Sequence, residues 1–159
     1  MTSTNRQFHL ARLPDGPLTR DCFRLAETAV PVPKDGEVLL RARLMSVDAA
    51  NRAWMQGATY RDALSTGTVL SARGLGEVVE SRHPDFAAGD LAFGDLGWQE
   101  YAAVPGSSLM KQLPVTPSSH LLSVYGISGL TAYFGLREVA QAKPGDTVVI
   151  SAAAGAVGT

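Results

Sequence analysis

Toward the end of this 159-residue chain, Ala153-Ala154-Gly155-Ala156-Val157-Gly158 places small residues at the first, third and sixth positions of a short run. That spacing suits a loop whose backbone N–H groups must come close to a pyrophosphate. Gly155 permits the close approach, and Gly158 lets a following helix pack on the preceding strand. Ala153 stands where a first glycine is usual. A helix opening there would turn its unpaired N–H groups and positive dipole end toward the phosphates. An ordinary Ala/Gly turn has the same spacing, so the segment before the loop decides the reading. Thr147-Val148-Val149-Ile150-Ser151 is β-branched and apolar on both faces. This is the pattern of a strand buried in a parallel sheet, and it favours a nucleotide cradle.

The elements that would position such a loop change character along the chain. Strand candidates run over 7–13, 23–28, 37–47, 76–80, 91–93 and 100–104, separated by punctuation such as Pro14-Asp15-Gly16-Pro17 and Asp35-Gly36. In the longest of them Val38, Leu40, Ala42 and Leu44 alternate with Arg41 and Arg43, the period of a half-buried strand. Strands at this spacing predict a small barrel or sandwich. After Pro117, Ser118 or Ser119 can cap a first helix through Val124, interrupted by Gly126 and Gly129. A second helical stretch follows from Leu130 to Gln141 and stops at Lys143-Pro144-Gly145-Asp146. The chain therefore reads as mainly β with some α. Residues 1–120 form a β-rich domain and 121–159 begin an α/β unit.

Composition excludes several classes. Hydrophobic residues make up 45% and charged residues 18%, enough apolar material for a substantial core. A net charge of −1 with scattered Lys and Arg gives no electrostatic case for nucleic acid or an anionic membrane. No apolar run approaches the roughly 20 residues of a membrane span. Cys22 is the only cysteine, so no internal disulfide can form. A cytoplasmic location is the expectation. His9, His83 and His120 are far apart, and one cysteine cannot complete a four-ligand zinc site, so no metal is expected.

Three segments carry a family resemblance. Leu44-Met45-Ser46-Val47-Asp48-Ala49-Ala50-Asn51-Arg52 resembles "LSVDPYMR". The stretch from Tyr125 to Leu136 resembles "GMTGLTAYFGL", and that from Ser151 to Thr159 resembles "SAAAGAVGS". All are motifs of the zinc-independent medium-chain dehydrogenase/reductases, in the branch of NADPH-dependent 2-alkenal, prostaglandin and curcumin reductases. The resemblance implies a GroES-like β-barrel followed by a Rossmann domain, of which this chain supplies the first helix and strand. It also implies hydride transfer from NADPH to an enone or enal. Ala49 and Ala50 replace the Pro-Tyr of the branch, which alters the wall of the substrate pocket. Where zinc-dependent relatives carry Gly-His-Glu, this chain has Ser71-Ala72-Arg73-Gly74-Leu75-Gly76, without a histidine.

Site residues follow from the same resemblance. Ala153, Gly155, Ala156, Val157, Gly158 and Thr159 match the pyrophosphate loop. Ser128 and Thr131 match positions near the nicotinamide, although each hydroxyl could instead bond its own helix backbone. Asp48, Asn51 and Arg52 edge the pocket, and the alternative for Asp48 and Arg52 is an ordinary structural ion pair. Trp54, Met55 and Tyr60 either line an apolar cleft or fill the core. No proton donor is assignable. The chain reads as the N-terminal portion of a longer enzyme, inactive by itself. An edge at 147–151 predicts pairing with the same strand of a second chain, as in a homodimer, or disorder. The alternatives are an NADPH:quinone reductase of the same superfamily and a GroES-like module that binds or oligomerises without catalysis.

Overall fold

A computed structural model describes residues 4–47, 49–59 and 62–158. The chain divides into two units, Met1–Leu113 and Pro114–Thr159.

The first unit is β-rich. Strands β1 (Thr4–Leu10) and β2 (Phe23–Ala29) form an antiparallel hairpin in continuous register from Thr4↔Ala29 to Leu10↔Phe23. Strand β3 (Glu37–Met45) leads into helix α1 (Ala50–Gln56), followed by β4 (Arg73–Ser81), β5 (Leu91–Asp95), β6 (Tyr101–Pro105) and β7 (Met110–Gln112). These five strands make an antiparallel sheet in the order β6-β3-β4-β5-β7. The strands expected in this unit are present with shifted bounds, β1 running over 4–10 rather than 7–13 and β3 ending at Met45 rather than Val47, while α1 and β7 were not foreseen.

The alternation expected along β3 holds only in part. Val38 and Leu40 are buried and Arg41 and Arg43 exposed, but Leu39 is also only 5% exposed. Two irregularities in the pairing with β4 explain the departure. Leu39 pairs with Glu80 while Leu40 pairs with Val78, and Ala42 pairs with Gly76 while Leu44 pairs with Leu75. Val79 and Arg43 are thus the extra residues of two bulges, which bend the ladder and re-aim its side chains. One core cluster gathers Val38, Leu40, Val78, Phe86, Ala92, Leu96 and Ala102. A second, of Leu10, Met55 and Leu70, ties β1 to α1.

A buried side chain is central to how the hairpin joins the five-stranded sheet. Asn5 has no exposed surface. Its Oδ1 accepts the Tyr101 N–H at 3.0 Å, and its Nδ2 donates to the Tyr101 carbonyl at 2.9 Å. The amide thereby does for Tyr101 what a neighbouring strand would do. Beside it, Arg6 and Glu100 form a two-point ion pair, and the Phe8 N–H donates to the Trp98 carbonyl at 2.8 Å. Arg12 binds Asp21 at 2.6 Å across the turn that follows β1.

The second unit contains a short 3-10 turn at Ser118–Leu121, helix α2 (Ile127–Phe134) and a π-helical turn at Gly135–Val139. Gly129 lies inside α2, where a Cβ would come within 1.8 Å of the Val124 carbonyl oxygen. Helix therefore begins earlier than Leu130, and the glycine permits a close turn rather than an interruption. The segment expected as a strand, Thr147–Ser151, pairs with nothing among the described residues, and Val149 is 91% exposed. Extended backbone needs a neighbouring strand to form a ladder, and the second unit has no other strand among the described residues.

Two outcomes test these contacts. Asn5→Leu keeps the shape but leaves both Tyr101 backbone groups without that partner, so urea unfolding should show a loss on the order of 2–4 kcal/mol. The Arg12 guanidinium, helped by the Thr19 hydroxyl, holds the Asp21 carboxyl down at about 2, from an ordinary 3.8. A depressed carboxylate stabilises the fold above its ordinary value, and that contribution disappears as pH falls toward 2. Asp21→Asn should flatten the acid limb of a stability–pH curve over that window while leaving the neutral region nearly flat.

Candidate active-site groove and nucleotide loop

Helix α1 exists because Asn51, Trp54 and Met55 recur at helical spacing and all turn inward, at 7%, 7% and 4% exposure. Gly57 follows its last residue. Met55 belongs to the Leu10–Leu70 core, which answers for this residue the choice between cleft and core. The Trp54 carbonyl accepts the Leu64 N–H at 2.8 Å, fixing the start of the segment that runs to β4. Arg52 donates from Nη2 to the Gly16 carbonyl at 2.7 Å, anchoring α1 to the turn after β1. Asp48 and Tyr60, with which Arg52 and Trp54 were grouped, lie outside the described residues.

Asn51 leads to a polar relay that sequence reasoning missed. Its Nδ2 donates to the Ser71 carbonyl at 2.6 Å. The Ser71 hydroxyl donates to Asp95 Oδ2 at 2.6 Å, and Asp95 Oδ1 accepts the Ala72 N–H at 3.1 Å. The Ala72 carbonyl accepts N–H groups from Leu96 and Gly97 at 2.9 and 3.1 Å. This relay pins 71–72 against the end of β5. It also backs an open groove of about 360 Å³ lined by Leu64, Ser65, Thr68, Ser71, Asp95 and Gln99, among others. Asn51 sits behind this wall, while Trp54 and Arg52 are not among the residues lining it. The signal in sequence was the stretch from Ser71 to Gly76, which stands where zinc-dependent relatives carry Gly-His-Glu. A second groove of about 450 Å³, mostly apolar, lies between the hairpin and β3, with Phe8, Leu25, Leu44, Met45 and Trp98 in its walls.

The histidines are engaged in local structure. His83 accepts the Asp85 N–H and packs on Phe86, and His120 lies edge-on to Tyr125. Among the described residues no three His, Cys, Asp or Glu side chains converge as a metal site would require. No helix among them is long and apolar enough to cross a membrane.

In the second unit Thr131 donates its hydroxyl to the Ile127 carbonyl at 2.7 Å, one turn back along α2, and Ser128 is half-buried on the same helix. The loop 151–158 folds back on Ala152. The N–H of Gly155 donates to the Ala152 carbonyl at 2.8 Å, and that of Gly158 to the Gly155 carbonyl at 3.2 Å. A Cβ on Gly158 would stand 2.7 Å from the Ala152 oxygen and 2.9 Å from the Ala153 Cα, too close for any side chain. Ala152 itself adopts φ 51°, so the left-handed residue of the turn precedes Ala153 by one position. Ala153, Ala154 and Ala156 are exposed and Val157 is 47% exposed, while Thr159 is outside the described residues. The loop thus has the tight, side-chain-free back that a phosphate cradle needs.

A family model described as the N-terminal domain of oxidoreductase matches residues 6–112. The chain belongs to that family. It is 40% identical to the NADPH-dependent curcumin reductase of Escherichia coli, over 97% of this chain and 45% of that protein. It is 40% identical to prostaglandin reductase 1 of Oryctolagus cuniculus, over 86% of this chain and 38% of that one. Its fold is similar to that of CurA from Vibrio vulnificus, solved in complex with NADPH. The TM-score is 0.85 at 37% identity, covering 96% of this chain and 46% of that one. The chain spans about half the length of the relatives it matches. The resemblance drawn from three short segments, and the expectation of a GroES-like β domain, are both borne out.

The relay makes a local prediction. Asp95→Ala removes the acceptor of the Ala72 N–H, whose deuterium exchange should accelerate about tenfold, the worth of one hydrogen bond. Amides in the core of β4 should keep their protection.

Proposed function

We propose that this chain is the N-terminal portion of an NADPH-dependent oxidoreductase that reduces the C=C bond of α,β-unsaturated ketones or aldehydes. The observation that carries the reading is the Gly158 contact. Residue 158 can hold no side chain against Ala152 and Ala153, as the third small position of a dinucleotide loop, which must pack closely on the end of the preceding segment, requires. Support comes from the similarity to curcumin and prostaglandin reductases and to the NADPH-bound CurA structure.

When bound, NADPH supplies a hydride to the β-carbon of the substrate. The chain's own residues bind and orient. The amides of Ala156 and Val157 would hold the pyrophosphate, with Gly158 closing the turn behind them, and Ser128 and Thr131 would lie on the nicotinamide side. Ser71 and Asp95 give the groove of the first unit its polar end, and Leu64 and Leu70 its apolar wall. Asn51 and Arg52 act through position: one holds the Ser71 backbone and the other seats α1 on the turn at Gly16. The family resemblance assigns Asp48, Trp54 and Tyr60 to the pocket edge as well, and no step needs a metal.

The test uses this chain joined to the second half that its relatives possess. NADPH should be consumed in the presence of an enone, and a chelator should not slow it. Gly158→Val should abolish NADPH binding while the first unit still unfolds cooperatively. The 159-residue chain alone should bind NADPH weakly or not at all. Consumption driven by quinones but not by enones would move the reading to a quinone reductase, and no NADPH consumption with either acceptor would end it.

A further inference from the structure

One face of β1 carries Asn5, Gln7 and His9 in a row, and the amides along it are oriented by what they meet. The Leu96 carbonyl can only accept, so Gln99 turns Nε2 toward it at 2.8 Å and keeps Oε1 as an acceptor. Gln7 Nε2 donates to that Oε1 at 2.7 Å, with Asn5 Nδ2 beside it at 3.3 Å. Gln7 is left with its own Oε1 facing His9 Nε2 at 3.0 Å. The other ring nitrogen, Nδ1, lies 2.9 Å from the Gly67 carbonyl oxygen. Both partners of the ring are acceptors. A neutral imidazole has one N–H to give them, and an imidazolium has two.

We infer that His9 is a proton-dependent latch, whose doubly protonated ring fastens β1 to the 67–70 segment and whose neutral ring must release one of two contacts. The backbone between the two is already in register. His9 bridges Val69, the Leu10 N–H donates to the Thr68 carbonyl at 3.0 Å, and the Leu70 N–H donates to the Phe8 carbonyl at 2.9 Å. Thr68, Val69, Leu70 and Gln99 line the 360 Å³ groove, so the state of the latch reaches that wall directly. On the packed elements, β2 offers Arg24 directly opposite and exposed, a cation that works against the charged ring. Residues 67–70 and 96–99 bring no titratable side chain, and the row on β1 has only Asn5 and Gln7. Histidines ordinarily exchange this proton between about pH 5 and 8. The two-contact state is present at the lower end and lost toward the upper.

Thermal unfolding of the 159-residue chain tests the latch against His9→Phe and Gln7→Ala. The gap in Tm between wild type and His9→Phe should narrow by about 2–4 °C as pH rises through this range. In the Gln7→Ala background, which keeps one ring acceptor, most of that narrowing should vanish. A gap independent of pH, or one that widens, overturns the inference. Should either variant fail to fold, wild-type NMR decides alone. The side-chain NH₂ signals of Gln7 and Gln99 and the Thr68 and Val69 amides should move together with the His9 ring. If they stay fixed while the ring loses its proton, there is no latch.

Discussion

The amide of Asn5 is the constraint on which the first unit rests. A two-stranded hairpin is marginal in water, and here it must be held to a separate five-stranded sheet. One carboxamide, wholly buried, takes both backbone groups of Tyr101 and so extends the backbone pairing of 6–8 with 98–100 by one side chain. The Arg6–Glu100 pair stands exposed beside it and adds registration more than energy. With the hairpin seated, Leu10 reaches Met55 and Leu70, and α1 acquires an apolar surface to hold a helix of seven residues.

The polar relay of the groove depends on that seating. Asn51 can reach the Ser71 carbonyl because α1 lies where Met55 puts it, and Ser71 can reach Asp95 because 71–72 enters β4 beside the end of β5. Hydroxyl, carboxylate and two backbone amides then share one rigid edge. Such edges, built on strand ends, are where sheets commonly place groups that meet a ligand. The nucleotide loop is built on a different principle. It uses almost no side chains, and its shape comes from the back-folding of 155–158 onto Ala152.

Much of the architecture was legible in the sequence because strands announce themselves by alternation and by the Gly and Pro residues between them. The bounds of β2, β3 and β5 were nearly right on that ground. Helix α1 was hidden because it is short and its inward residues include a polar Asn51, which a search for apolar periodicity passes over. Asn5 was invisible for a deeper reason: its burial is repaid by a backbone 96 residues away, and no local pattern encodes that partner. The Thr147–Ser151 segment shows the converse, since β propensity was plain but ladder partners are supplied by tertiary structure. The loop residues Gly155 and Gly158 were found by spacing, whereas the turn's left-handed position at Ala152 was not, because alanine gives no sign of it.

The small cluster of Leu10, Met55 and Leu70 has a mechanical meaning as well. It is the pivot through which three segments distant in sequence share one fulcrum, and its levers end at Gln7, at Asn51 and at Ser71. A change of volume at Leu10 therefore tilts the helix and the groove wall together, and a compensating change at Leu70 could set both level again. A change in the first strand would therefore be felt at the groove wall, although Leu10 does not line it.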